Sequence, residues 1–378
     1  MRIGLVTYWL NRGQATVMRA IRHALDELGH ETFVLARPTP ARFARPSFVS
    51  SDDTWSDHSN VTTASESDIP TAEYLEWAAV NELDAAFFFQ NLDFEGIGAL
   101  RHAGVQTIGT YMWEAFGQDQ ADQAKQAFDT VYVLHPASRR WFADLGLPDV
   151  DLVRFAAHPE VAATRFDRAR TGPVSFIFMG GYLGARKPLG PVVQAFRQGA
   201  TNGATLTIKT QTSIRRGDLH VWDSTAQLSR RHRTNDGAEP VHGFDDDRIR
   251  VVDDDLPEAE FLCDLQAHDV IVGVSRWEGL GLHLYEAEAL GLPLLLNHME
   301  PYTSFAAEST LVEFVDSHEI GQRPCGLPVH EIDVASLAGG FHRLSQRQAV
   351  DSLRIAEQTS HDMRWAAFKT SLGSLLRA

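Results

Sequence analysis

The chain has 378 residues, 44% hydrophobic and 22% charged, and its 34 Lys and Arg stand against 50 Asp and Glu, a formal charge of −16. That length exceeds what one small hydrophobic core fills and fits two α/β domains, and the composition is that of a packed protein rather than a disordered one. So acidic a chain repels a phosphate backbone, which argues against a sequence-independent nucleic-acid binder.

The first forty residues read as a β-α-β unit: a strand from Ile3 to Tyr8, a turn at Asn11-Arg12-Gly13-Gln14, and a helix whose buried face is Val17, Ile21, Ala24, Leu25 and Leu28. Gly29 can end that helix in a left-handed conformation, and Thr32 to Ala36 follows as a second strand. The opening apolar run soon meets Asn11 and Arg12, so it lacks the apolar region of a signal peptide, and runs such as Ala85 to Phe89 are far too short to span a membrane. A cytoplasmic protein is expected. Arg37 to Pro70, rich in Pro, Ser, Asp and Thr, reads as a long excursion at the sheet edge, of the kind that is often functional. Strands are then expected at Ala85 to Phe89, Val105 to Gly109 and Thr130 to Leu134, and His158 to Pro173 reads as a linker. After it come Ser175 to Met179, Thr205 to Ile208, Ile249 to Val252, Val270 to Val274, Pro293 to Asn297 and Val312 to Val315. Strands alternating with helices on both sides of a break predict an α/β protein of two doubly wound Rossmann-like domains facing across a cleft, residues 1–157 and 172–361. Cys263 and Cys325 cannot build a disulfide framework and lack zinc-site spacing, so no structural metal is expected and both read as small buried hydrophobes.

In open parallel sheets ligands bind beyond the carboxyl ends of the strands, so polar residues just after each strand are the candidates. After Val274 the chain reads Ser275-Arg276-Trp277-Glu278-Gly279-Leu280-Gly281-Leu282, with Glu286 and Glu288 in the following helix. Gly279 and Gly281 let backbone approach a ligand, a helix starting near Leu282 offers unpaired N–H groups to phosphate, and a carboxylate can accept two hydrogen bonds from a vicinal diol. Glu278 and Glu286 therefore form a candidate sugar-nucleotide clamp, whereas Glu288, on the other side of the helix, is expected to be a solvated charge. After Met179, Gly180-Gly181-Tyr182-Leu183-Gly184-Ala185-Arg186-Lys187 is a glycine-rich turn with two cations suited to a diphosphate. In the N-terminal half, Gly13 and Gln14 follow the first strand, and Tyr111 and Glu114 follow Thr110. Their competing readings are an ordinary strand-helix turn and a packed aromatic pair.

The E-x7-E spacing of Glu278 and Glu286, within EGLGL…EAEALGLP, resembles the signature of retaining glycosyltransferases of the GT-B fold, most like family GT4. The resemblance implies that Glu278 contacts the donor sugar, Glu286 the ribose, and Gly279, Leu280, Gly281 and Leu282 the sugar or phosphate through backbone. It implies that Lys187 and Arg186 grip the leaving diphosphate, with Gly181 where the family commonly has another Arg. It places Gly13 against the donor phosphate, and leaves Tyr111, Glu114 or Gln14 where relatives contact sugar or acceptor, often through a His that this chain lacks. The aromatic Trp365 before a last helix is similar to the family's final element, which returns to the N-terminal domain, so 362–378 is expected to join 1–157. The resemblance implies an N-terminal domain for the acceptor and a C-terminal one for the donor, a nucleoside diphosphate sugar with UDP slightly ahead of GDP, and neither cofactor nor metal. An epimerase or phosphorylase on the same fold, or a non-catalytic sugar-nucleotide binder, are the alternatives.

Asp245-Asp246-Asp247 and Asp253-Asp254-Asp255 could bind a divalent cation with a substrate phosphate, but a polar turn and a helix start at Leu256-Pro257 explain them as solvated or capping acids. Arg215-Arg216 and Arg230-Arg231-His232-Arg233 read as solvated charge.

Overall fold

The computed structural model describes residues 1–9, 13–38, 59–112, 116–163, 171–181, 183–210, 243–253, 256–307, 309, 311–323, 326–355 and 360–377. Arg12, Glu114, Asp254, Asp255, Cys325 and the two arginine runs singled out above lie outside the described residues, and Cys263 is exposed rather than buried. The chain divides into two compact units, Met1–His158 with His361–Ala378, and Pro159–Ser360.

The first unit runs β1 (Arg2–Thr7), α1 (Gly13–Glu27), β2 (Glu31–Ala36), β3 (Val61–Thr63), α2 (Thr71–Val80), β4 (Ala85–Phe89), α3 (Phe94–His102), β5 (Gln106–Thr110), α4 (Gln118–Ala127), β6 (Thr130–Val133), α5 (Pro136–Asp144) and β7 (Asp151–Leu152). All seven strands pair in parallel in the order β3-β2-β1-β4-β5-β6-β7. Their near-continuous apolar runs follow from burial on both faces: every residue of β4 is buried, as are the last five of β1. β5 begins one residue later than the sequence predicts, because the Val105 N–H is used to close the end of α3 on the Leu100 carbonyl. The described part of the Arg37 to Pro70 excursion holds β3, whose three residues extend the sheet at its edge.

The last helix, Ser360–Gly373, belongs to this unit from His361 on. Trp365, Phe368 and Leu372 are buried, the Trp365 indole N–H donates to Glu27 at the end of α1 at 3.1 Å, and Lys369 donates to the same carboxylate at 2.7 Å.

The second unit opens with α6 (Pro159–Ala163), a short helix inside the stretch expected to be plain linker. It forms because Val161 has a place to bury, and a proline is well tolerated in a first helical turn. The unit continues β8 (Ser175–Gly181), α7 (Leu189–Gly199), β9 (Thr205–Thr210), β10 (Gly243–Phe244), β11 (Asp246–Val252), α8 (Glu258–Gln266), β12 (Val270–Val272), α9 (Leu282–Leu290), β13 (Leu294–Asn297), α10 (Tyr302–Ala306), β14 (Val312–Val315), β15 (Ser317–Gln322), β16 (Pro328–Ile332), α11 (Val334–Leu344) and α12 (Arg347–Ile355). The sheet order is β10-β11-β9-β8-β12-β13-β14, parallel except for the edge pair β10 and β11, and β15 pairs with β16 as a separate antiparallel hairpin. Asp246 is not a solvated turn residue but a member of β11, where it accepts from Arg248 at 2.8 Å. Helices α7 and α11 touch backbone to backbone at Gly199, where a Cβ would fall 1.9 Å from the Ala338 carbonyl oxygen; only glycine fits.

In each sheet the winding direction reverses beside the first strand of the unit, between β1 and β4 and between β8 and β12. That reversal opens a crevice at the carboxyl ends of those strands, where such sheets bind ligands. In the second unit both candidate motifs lie there: Gly180 to Lys187 after β8, and Ser275 to Leu282 after β12.

Candidate functional site

The loops after β8 and β12 meet around Glu278. Its carboxylate, 5% exposed, accepts from Lys187 Nζ at 2.9 Å through Oε2 and from Arg186 through Oε1. Lys187 is itself buried and also donates to Ser275 Oγ at 2.6 Å, while Ser275 Oγ donates on to Glu278 at 3.2 Å. The loops are joined along the backbone too, by the Arg276 N–H on the Arg186 carbonyl at 2.9 Å. Burial alone would raise the Glu278 pKa, but Arg186 and Lys187 outweigh it and hold the carboxyl well below the usual carboxylate range. The group is an anion fixed between two cations.

Three further residues stand around this group that the sequence reading does not single out. Tyr302 at the start of α10 is fully buried, and its hydroxyl donates to the Gly273 carbonyl at 2.5 Å and lies 3.4 Å from Glu278 Oε2. Asn297 at the end of β13 accepts the Ser275 N–H at 2.9 Å. His283, second in α9, is buried with Nε2 lacking a hydrogen-bond partner among the described residues, and burial together with Lys187 drops its pKa to about 3, so it is neutral. The signal for Asn297 and Tyr302 is the same as at β8 and β12: polar and aromatic residues at the carboxyl end of a buried strand, here β13. Replacing Tyr302 with Phe frees the Gly273 carbonyl and one face of Glu278. The variant is expected to lose about 1–2 kcal/mol of stability, read from a urea midpoint, together with a several-fold fall in sugar-nucleotide turnover.

Downstream, Gly281 sits in the left-handed region at φ 76° and caps α9, with Leu282 as its first residue. A side chain there would be strained and would press on Leu284, so the turn that starts α9 needs glycine. Gly279 and Leu280 are buried in the loop between Glu278 and that cap. Glu286 stands one turn into α9, partly open to solvent, and its carboxylate accepts no hydrogen bond among the described residues. Burial and the negative Glu258 push its pKa up to about 7. Glu288 is buried rather than solvated, because α9 is enclosed on nearly every side: His283 to Tyr285 and Ala287 to Leu290 are all buried. Gly181, the last residue of β8, has φ 50°, in the left-handed region that favours glycine.

The N-terminal candidates are placed differently. Gly13 is the exposed first residue of α1, and Gln14 beside it is half-buried with an Oε1 that has no partner among the described residues. Tyr111 is 1% exposed: its hydroxyl donates to the Asn91 carbonyl at 2.5 Å and its ring stacks on Phe116 at 4.3 Å. That side chain is core packing, which leaves it no surface for a sugar. No helix among the described residues is long and apolar enough to cross a membrane.

No family model matches the chain, and no curated protein does. Solved structures do. Sucrose-phosphate synthase from Thermosynechococcus elongatus superposes with a TM-score of 0.66 at 15% identity, over 99% of this chain and 98% of that one. An alpha,alpha-trehalose-phosphate synthase (UDP-forming) from Burkholderia vietnamiensis reaches 0.58 at 14%, over 99% of each chain. A putative UDP-N-acetylglucosamine 2-epimerase from Listeria monocytogenes reaches 0.57 at 11%, over 99% and 96%. At these identities the likeness establishes architecture: two Rossmann-like domains of the GT-B fold with a C-terminal helix on α1.

Proposed function

We propose that this chain is a retaining, GT4-like glycosyltransferase that moves a sugar from a nucleoside diphosphate sugar to a hydroxyl-bearing acceptor without a metal ion. The observation that carries the reading is the meeting of Glu278, Lys187 and Arg186 at the β8–β12 reversal, eight positions before Glu286, whose carboxylate accepts no hydrogen bond among the described residues. In this reading Glu278 orients the donor sugar and Glu286 accepts the ribose hydroxyls. Lys187, Arg186 and the amides of Gly279 to Leu282 offset the diphosphate charge as the bond from the anomeric carbon to phosphate oxygen breaks. The acceptor hydroxyl attacks from the face the diphosphate leaves, forms the new bond to the anomeric carbon, and passes its proton to the departing phosphate. The protein then supplies positioning and electrostatic stabilisation, and no side chain here needs to act as a strong base. UDP is favoured as the nucleotide; one structural neighbour is named for forming it, and another for a UDP-sugar. Gly13 and Gln14 are proposed donor and acceptor contacts in the first unit, where the acceptor is proposed to bind.

A thermal-shift series with UDP, GDP and ADP and their glucose and mannose conjugates tests this. A ligand held at about 100 times its Kd stabilises by roughly 2.7 kcal/mol, so the true donor raises the melting temperature by several degrees and its bare nucleotide by less. No shift with any compound would defeat the proposal. The epimerase-like neighbour favours a second reading on the same fold. Labelled sugar nucleotide incubated without acceptor separates the two, since an epimerase converts it and a transferase does not.

A further inference from the structure

The three residues immediately before Glu278 are each tied to the hairpin β15–β16. Ser275 is held through its N–H by Asn297, whose amide nitrogen in turn donates to Ser317 Oγ, the first residue of β15, at 3.2 Å. Arg276 is held twice by β16: its carbonyl accepts the His330 N–H at 2.8 Å, and its largely buried guanidinium pairs with Glu331 at 2.5 Å. Trp277 lies under the guanidinium of Arg323, in the hairpin turn, 4.6 Å from the ring centroid. Two successive residues, Arg276 and Trp277, are thus anchored directly on one appendage and Ser275 reaches it through Asn297 of β13, so the stretch leading into Glu278 is held by the hairpin side chains. The tie between this loop and the diphosphate loop, the Arg276 N–H on the Arg186 carbonyl, is a backbone bond that no hairpin side chain makes, so it persists when the hairpin side chains are removed.

We infer that the hairpin β15–β16 is a positioning device for the sugar-contacting loop, with Glu331 and Arg323 as positioning residues that set where Glu278 stands; this rests on the reading of Glu278 as the donor-sugar contact. A misplaced positioning group costs catalysis more than binding of the rest of the substrate. The nucleotide half of the donor, addressed by Glu286 and α9, should therefore be insensitive to the hairpin.

The test uses the full chain with Glu331→Ala, Arg323→Ala, the conservative Glu331→Gln, and Ile320→Ala, an exposed hairpin position that none of these contacts uses. Calorimetric titrations with UDP and UDP-glucose, and with GDP and GDP-mannose, separate nucleotide affinity from the increment the sugar adds. Glu331→Ala and Arg323→Ala should leave bare-nucleotide affinity within about twofold, cut the sugar increment about fivefold and lower kcat about tenfold. Glu331→Gln, which can still accept from Arg276, should restore most of it. Hydrogen exchange of the unliganded protein gives an arm that needs no ligand: amides 275–279 should exchange at least about tenfold faster in the two alanine variants and unchanged in Ile320→Ala. Unaltered exchange there, or an equal loss of bare-nucleotide and sugar-nucleotide affinity, overturns the inference. A wild-type chain that binds neither nucleotide pair defeats the functional reading instead, and the exchange arm still decides the hairpin.

Discussion

Glu278→Gln and Lys187→Ala should each reduce transfer by more than about a hundredfold, the scale on which a single preorganised charge contact acts in a transition state. The two charges are buried against one another, with side-chain exposures of 6% and 4%. Removing Glu278 leaves Lys187 buried without the carboxylate it pairs with, a change that costs about 3–5 kcal/mol when no relaxation helps, while removing Lys187 leaves Glu278 with Arg186 as its remaining cation and costs less. Lost activity and lost stability therefore arrive together in the single variants, and they must be separated. The double variant Glu278→Gln with Lys187→Met does this: it removes both charges, so its urea midpoint should recover much of the loss while its turnover stays at the background level. The sign of the pH dependence follows from the depressed Glu278 pKa. Its contribution to stability is present in full above about pH 4.5, the range of an unfolded glutamate, and is lost only as pH falls toward the depressed folded value. Turnover should consequently show no titration of Glu278 between neutral pH and mild acid. Wild-type turnover in both Glu278→Gln and Lys187→Ala would overturn the site.

The contrast between Glu278 and its neighbours shows what could be read from residues alone. The strand runs and glycine punctuation were legible because burial on both faces of a parallel sheet leaves unbroken apolar stretches such as Ala85–Phe89, and because Gly281 is required by a left-handed cap. The pairing of Glu278 with Lys187 was not, since it joins loops 91 positions apart and depends on β8 lying beside β12. Glu288 reads as solvated from the sequence because a charge two positions from Glu286 points to the far side of a helix, and that side is normally wet. Here α9 is buried nearly all round, and periodicity carries no signal where there is no exposed face. Tyr111 shows the converse, an aromatic placed after a strand as a ligand contact would be, yet turned into the core, where it stacks on Phe116 and Phe116 stacks in turn on Phe142. The hairpin β15–β16 escaped notice because exposed strands with mixed polar residues resemble loop in composition.

Glu286 should impose opposite pH trends on stability and on donor binding. Its folded pKa of about 7 stands above that of an ordinary glutamate, from burial first and the charge of Glu258 second. Between about pH 4.5 and 7 the folded chain holds a proton there that the unfolded chain has released, so stability falls as pH rises through that window and levels off above it. Donor affinity runs the other way, because two ribose hydroxyls are best accepted by the ionised carboxylate. With a pKa near 7 the ionised fraction grows about tenfold from pH 6 to pH 8, and sugar-nucleotide affinity should rise by the same factor. The diphosphate of a sugar nucleotide is a diester and keeps its charge across this range, so the trend reports the protein. Glu286→Gln should abolish both slopes, giving a melting temperature that no longer declines toward neutrality and a weak, pH-independent affinity. Glu258→Gln should keep both slopes and move their midpoint to lower pH, since it removes the repulsion and leaves the burial. An affinity that rises equally with pH in Glu286→Gln would assign the titration to another group and remove Glu286 from the ribose.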